Sequence, residues 1–273
     1  MMRFGTAGIP IRCKSGGSLA GIKCVRELGL DAMEFEFVHG VRMSEALAKQ
    51  CGQEAKRLDV SLSAHAPYFI NLISENPSIR NMSKHHVMET CRVLDAAGGG
   101  RAVFHAGFYG KMQHQAAFEE MLEMLGDLHE KVKNARLSVV LAPELSGKRT
   151  QWGSLSELCD AAKQIRGINP CIDFAHMFAR GDLKKDDNEH YGKALDDLEK
   201  ALGRQALQSL HIHFSGIEFS EKGERRHIPV GTPAFAPLAN ALKELRCSGT
   251  IICESPLIEE DALKMQKAYS GAP

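Results

Sequence analysis

Eight short apolar runs recur along the 273-residue chain, each followed by an amphipathic stretch, and this alternation restricts the fold more than any other feature. The runs are Arg3–Ala7, Ala32–Phe37, Ser61–His65, Ala102–His105, Ser138–Glu144, Cys171–Asp173, Ser209–His213 and Thr250–Glu254. Between them, segments such as Leu19–Leu28, Ala117–Val132, Leu155–Ile165 and Leu238–Leu245 carry apolar residues three and four apart, the spacing of one helix face. Gly29, Gly98-Gly99-Gly100, Gly167 and Gly249 punctuate the alternation as helix stops. Strands joined by crossover helices form a parallel sheet. Eight such units in a chain of this length favour a closed (β/α)8 TIM barrel, for which about 250 residues is typical. An open doubly wound sheet is the alternative. No linker, low-complexity tract or change of composition divides the chain, so one domain over 1–273 is expected.

Ligand-type residues stand where six of the eight runs end. His65 closes SLSAH, His105 closes AVFH, Glu144 closes VVLAPE, Asp173 and His176 lie in IDFAH, His213 closes LHIH, and Glu254 closes TIICE. One such histidine alone is more often a hydrogen-bonded structural residue than a ligand. Parallel strands are buried on both faces, however, so an ionisable group at their ends is costly unless partnered. In a barrel all these ends meet on one face, where catalytic residues collect. A mixture of imidazoles and carboxylates suits zinc or a similar divalent ion. With His227, from the long segment after the seventh run, the donors exceed one tetrahedral site, and a multinuclear centre is expected. Glu36 is expected to face the site in a supporting role. His211 is expected to point away from His213, toward the helices. His85, His86, His114, His129 and His190 lie in helix-like stretches and read as solvated.

Composition enters by exclusion. Lysine plus arginine and aspartate plus glutamate both number 34, so bulk charge does not advertise a nucleic-acid binder, although a local basic rim remains open. No apolar stretch approaches a membrane span, and a cytoplasmic, monomeric protein with no membrane partner is expected. The eight cysteines form no CxxC pair, which suggests reduced, buried thiols. The segments Tyr68–Ser78 and Ser215–Pro233 read as long loops, and loops of that length in compact α/β domains are usually functional.

The segments HAPYFINL (His65–Leu72), DFAHMFARG (Asp173–Gly181) and HFSG…RRHIPVG (His213–Gly231) resemble the endonuclease IV family of apurinic/apyrimidinic endonucleases, and the resemblance runs over essentially the whole chain. It implies a TIM barrel with zinc ions on its C-terminal face. It also implies DNA repair activity: hydrolysis of the phosphodiester 5′ to an abasic site in double-stranded DNA, leaving a 3′-hydroxyl. By position it assigns His65, His105 and Glu144 to one metal. Glu144, as a bridge, joins Asp173, His213 and Glu254 at a second, and His176 and His227 hold a third. Glu144 and Glu254 are the implied catalytic carboxylates. Adjacent cations generate a nucleophile from water near neutral pH and neutralise phosphate oxygens. Tyr68 and Asn71 match a DNA-recognition loop, and Arg42 matches an inserting arginine more loosely. Lys148, Arg149, Lys184, Lys185, Lys222, Arg225 and Arg226 supply a basic rim.

One position departs from the family pattern, which has an aspartate where this chain has Arg225. A guanidinium cannot bind a cation. Two or three zinc ions are therefore expected, with a weak third site and Arg225 or Arg226 placing a cation near the phosphate. The alternative is a one-residue shift at Gly223 that brings Glu224 in. Two other readings of the chain stay open. A sugar isomerase or epimerase on a xylose-isomerase-like barrel needs one metal, for which Glu144, Asp173, His213 and Glu254 suffice, but does not need His65, His105, His176 and His227. A DNA-binding scaffold without activity is favoured only by Arg225.

Overall fold

The computed structural model describes residues 1–271 and contains the expected barrel. Its strands are β1 (Met2–Ala7), β2 (Ala32–Glu36), β3 (Ser61–His65), β4 (Arg101–Phe104), β5 (Val140–Pro143), β6 (Cys171–Asp173), β7 (Leu210–Phe214) and β10 (Gly249–Cys253), with β8 (Gly216–Ser220) and β9 (Gly223–Ile228) lying outside the barrel. The eight barrel strands pair in parallel in the order β5-β4-β3-β2-β1-β10-β7-β6. Single parallel bridges, Leu141 to Ile168 and Glu144 to Cys171, bring the two ends of that order together. The main-chain bonds from Asn169 N to Leu141 O and from Leu145 N to Cys171 O, both 3.0 Å, complete the closure. The helices are α1 (Gly17–Glu27), α2 (Glu45–Leu58), α3 (Pro77–Ala96), α4 (His114–Asn134), α5 (Leu155–Gln164), α6 (Phe174–Arg180), α7 (Asn188–Leu202), α8 (Arg204–Leu207), α9 (Phe235–Glu244) and α10 (Glu259–Ser270).

Burial on both faces of the strands explains their unbroken apolar character. Every residue of β7 is buried. Phe214 points outward and meets the Phe235 ring of α9 at 5.1 Å between centroids. Full burial of one such side chain contributes about 1.5–3 kcal/mol. The helices start where local chemistry satisfies their first amide groups. At α5 the Ser154 hydroxyl accepts from Glu157 N and the Glu157 carboxylate accepts from Ser154 N, a capping box. Among the described residues no helix is long and apolar enough to cross a membrane.

Three sequence expectations change. The segment Ser215–Pro233 is not a bare loop: β8 and β9 form an antiparallel hairpin within it. Cys13 and Cys24 are not free thiols but form a disulfide, because the 3-10 helix Ile11–Gly16 folds back on α1 and brings their Cα atoms to 6.4 Å. The other six cysteines are free and buried, as expected. Finally, His211 does not face the helices. Residues two apart on a strand share a face, so His211 and His213 both point into the barrel while Leu210, Ile212 and Phe214 point out.

Candidate metal centre

The ligand-type residues converge at the C-terminal ends of the barrel strands around Glu144, which is fully buried one residue past β5. Glu144 Oε2 lies 2.9 Å from His65 Nε2 and 3.4 Å from His105 Nε2. Its Oε1 lies 3.2 Å from His213 Nδ1 and 3.4 Å from His176 Nδ1. Each carboxylate oxygen therefore faces a different pair of imidazoles. On the far side, His213 Nδ1 is also 3.2 Å from Glu254 Oε1, and His176 Nε2 is 3.2 Å from His227 Nε2. Apart from Cys171, His211 and His213, which form a further set around His213, the donor atoms fall into three overlapping sets with atoms mutually within 4.8 Å: His65, His105 and Glu144; Glu144, Asp173, His213 and Glu254; Asp173, His176 and His227. Glu144 belongs to the first two and Asp173 to the last two.

Local structure aims these side chains. Asp173 ends β6 and caps α6, its Oδ1 accepting from His176 N at 2.6 Å. That bond fixes the first turn of α6 and sets His176 beside Asp173, while Oδ2 is left buried without a hydrogen-bond partner. Three of the histidines are oriented by main-chain carbonyls. With Nδ1 donating, His65 bonds Ala66 O at 2.7 Å, His176 bonds Leu145 O at 3.0 Å and His227 bonds Glu254 O at 3.2 Å. This tautomer leaves the Nε2 lone pair of each ring directed inward.

Electrostatics in the site pull in opposite directions. Burial pushes the Glu144 carboxyl up, but the charges of His105 and His213 and hydrogen bonds from His176 and His213 outweigh it and hold the group well below the ordinary carboxylate range. Asp173 goes the other way: burial raises it well above its usual value, with Glu254 and Glu144 adding to the rise against His176. His105 is lowered to about 4, chiefly by burial, with Glu144 acting against the shift. Glu36 is pushed up to about 8 by burial, against the charge of His65 and with Glu34 and Glu254 reinforcing it. It stands beside His65 in the β2–β3 register, with Oε1 buried and unpartnered.

These residues fit divalent ions on their own geometry. Asp173 Oδ2 and Glu254 Oε2 are buried acceptors with no donor. The Nε2 atoms of His176 and His227 face each other at 3.2 Å while their Nδ1 atoms are engaged by carbonyls. With both Nδ1 atoms engaged, the two Nε2 atoms can share one proton or bind one cation with the nearby carboxylates, and the mixed imidazole–carboxylate set is one that zinc-like ions favour.

Of the two arrangements open at positions 224 and 225, the structure has the one that brings Glu224 toward His176 and His227. Across the hairpin Phe219 pairs with Glu224 and Glu218 with Arg226, so Arg225 is an extra, bulged residue. The extra residue shifts the alternation by one and brings Glu224 and His227, three apart, to the same side. Glu224 Oε2 comes to 3.5 Å from His176 Nε2, and Oε1 to 3.9 Å from His227 Nε2. Arg225 and Arg226 turn outward and pair with Glu218 at 3.4 and 2.7 Å. Two glycines permit the approach. A Cβ on Gly147 would lie 2.7 Å from Glu224 Cβ, and Gly223, at φ +96°, packs on Gly147 so closely that a Cβ there would lie 2.4 Å from its carbonyl oxygen.

The residues expected at DNA divide by exposure. Tyr68 is 59% exposed on the loop after β3 and contacts the rings of His39 and Phe69, and Phe69 in turn meets His86. Arg42 is exposed on the loop after β2. Asn71 is turned inward: its Oδ1 accepts from Phe108 N at 3.3 Å and its N donates to Ser83 Oγ, which makes it a brace between two loops. Sequence reasoning missed the exposed Val38, Phe69 and Phe108 on the same rim, for which the YF pair in HAPYFINL was the available signal. It also missed Glu34, a carboxylate within the buried run AMEFE; such a group needs a partner, and here it has His211 and His213.

Comparison with known proteins agrees with this architecture. The family profile described as xylose isomerase-like TIM barrel matches residues 22–269. An uncharacterized protein of Methanocaldococcus jannaschii is 38% identical over 273 residues, covering 99% of this chain and 97% of the relative. A probable endonuclease 4 of Aquifex aeolicus is 22% identical over 240 residues, covering 84% of each chain. Among solved structures, endonuclease IV from Thermus thermophilus superimposes with a TM-score of 0.73 at 18% identity, over 98% of both chains. A D-tagatose 3-epimerase-like protein does so with a TM-score of 0.72 at 17% identity, over 99% of this chain and 96% of the other. The superpositions are nearly equal for two different chemistries and speak for the fold alone. The chain belongs to the xylose isomerase-like TIM barrel family.

Proposed function

We propose that this protein is a metal-dependent endonuclease of DNA repair that hydrolyses the phosphodiester 5′ to an abasic site in duplex DNA. The observation that carries the reading is the division of Glu144: its two oxygens face separate pairs of imidazoles, within three overlapping donor sets. A single ion would use one of those sets. The endonuclease 4 relatives support the same direction.

His65 and His105 would hold one zinc with Glu144, and Asp173, His213 and Glu254 a second on the other Glu144 oxygen. His176 and His227, with Glu224, would hold a third. When bound, the ions supply Lewis acidity toward a phosphoryl oxygen and an acidified water. The protein's own part is positional. Glu144 and Glu254 keep negative charge on either side of His213, and the main-chain carbonyls hold three rings in the donor tautomer. Val38, Tyr68, Phe69 and Phe108 form an exposed apolar rim beside the site, suited to filling the space a missing base leaves. Arg42, Arg225 and Arg226 are exposed and suited to phosphate contact.

The second reading, a one-metal sugar epimerase or isomerase, is favoured by the set Glu144, Asp173, His213 and Glu254 taken alone. One experiment separates them: incision of a duplex carrying a single abasic analogue, with and without chelator, beside an assay of ketose epimerisation. Chelator-sensitive incision 5′ to the lesion is expected. Sugar turnover without incision would overturn the endonuclease reading.

A further inference from the structure

We propose that Glu34 is a positioning residue that fixes His213 as an Nδ1 metal donor, with His211 as the brace that holds Glu34. The inference rests on a divalent metal at His213, which the endonuclease and epimerase readings share, and not on the choice between them.

His213 is turned the opposite way from three other histidines of the site. His65, His176 and His227 each give Nδ1–H to a main-chain carbonyl and turn Nε2 to the site. His213 is reversed. Its Nδ1 lies 3.2 Å from both Glu144 Oε1 and Glu254 Oε1, among the proposed ligands. A lone pair at Nδ1 requires the ring proton at Nε2. The carboxylate on that side is Glu34, whose Oε1 lies 2.9 Å from Nε2 but off the line of a hydrogen bond, and neither atom has a hydrogen-bond partner elsewhere, so a small turn of the ring or carboxylate completes the pair. Both residues are fully buried, so bulk water cannot replace the carboxylate.

The second oxygen explains why a carboxylate is tolerated there. Glu34 Oε2 accepts from His211 Nε2 at 2.9 Å, and His211 is itself buried. Glu34 comes from β2 and both histidines from β7, strands separated in the sheet by β1 and β10. The contact therefore crosses the barrel interior beneath the metal centre. A ligating histidine whose other nitrogen donates to a carboxylate is held in one tautomer and one ring orientation, and its basicity rises. A backbone carbonyl does this for the other three rings. His213 lies within β7, where main-chain carbonyls are engaged in the sheet, and Glu34 is the acceptor beside its Nε2.

The test uses the full chain and zinc. Long-range 1H–15N spectra of the zinc-loaded protein are expected to show His213 protonated at Nε2 and His65, His176 and His227 protonated at Nδ1. Competition with a chromophoric chelator is expected to show that Glu34→Gln weakens one zinc site about 10- to 100-fold, the usual cost of losing an outer partner. Glu34→Asp should recover part of that loss, and His211→Gln should lose less than Glu34→Gln. A purely structural brace would lower the melting temperature of the metal-free protein and leave zinc affinities intact; that outcome overturns the proposal. So does a His213 ring protonated at Nδ1, a result read on the unaltered protein even if the variants do not fold. Absence of incision with the expected tautomers would remove the endonuclease reading and leave this one standing.

Discussion

The two halves of the centre are built by different means. His65, His105 and Glu144 stand at or one residue past the ends of β3, β4 and β5, three neighbours in the sheet. Parallel register sets their heights, with Ala64 opposite Ala102 and Ala102 opposite Leu141. The other half leaves the sheet. His176 is on α6, and Glu224 and His227 are on the β8–β9 hairpin, which meets the centre through Gly147 and Gly223. The first half inherits its precision from the main-chain ladder. The second depends on a cap, a bulge and a pair of side-chain-free contacts, each of which one substitution can remove.

Glu144 joins the halves, so its loss should have the largest effect. Glu144→Gln keeps the shape and removes the negative charge shared between four imidazoles. Incision should fall by more than the roughly 100-fold that loss of an outer partner can cost. Zinc content should fall by at least one ion, while circular dichroism stays native because the apolar core packs between strands and helices. Near-normal incision would end the bridging role.

Changes confined to the second half come next. Glu224→Gln should lower zinc content by one ion and incision about 10- to 100-fold, leaving the ion at His65 and His105 in place. Gly147→Ala should act in the same direction without touching a ligand, since its Cβ would lie 2.7 Å from Glu224 Oε2 and 3.1 Å from His176 Cδ2. Elemental analysis beside incision rates checks both. Equal loss of all ions in either variant would show that the halves are not separable.

The rim distinguishes the halves by recognition. Tyr68 is exposed three residues past His65 at the end of β3, and Tyr68→Ala should weaken binding to abasic duplex more than to intact duplex, by about 1–3 kcal/mol, the range of one base–aromatic stack. Equal losses on both duplexes would make Tyr68 a loop anchor.

The smallest effect is expected at Arg225. Because its guanidinium pairs with Glu218 outside the centre, Arg225→Asp should leave zinc content unchanged. Arg225→Ala should weaken DNA binding about equally across sequences and reduce the salt slope by about 1. A gain of one zinc in Arg225→Asp would restore the reading in which position 225, and not Glu224, faces the metal.

What could be read in advance follows the same division. The barrel, its strand positions and the convergence of His65, His105, Glu144, Asp173, His213 and Glu254 were available from the chain itself. A parallel strand is buried on both faces, so polar residues at its end stand out against an apolar run. The disulfide between Cys13 and Cys24 was not available, since nothing in a separation of 11 residues states that a 3-10 helix folds back on α1.

Periodicity determined the fold and the height of each strand-end ligand, because both follow from alternation and register, which are local properties. Contacts between distant segments decided the rest. Glu224 faces His176 and His227 because the bulge at Arg225 resets the alternation where Gly223 packs on Gly147. Glu34 meets His211 and His213 because barrel closure places β2 across the interior from β7. Neither a bulge nor a cross-barrel distance is written in the spacing of one strand; both are set by which segments the closed sheet brings together.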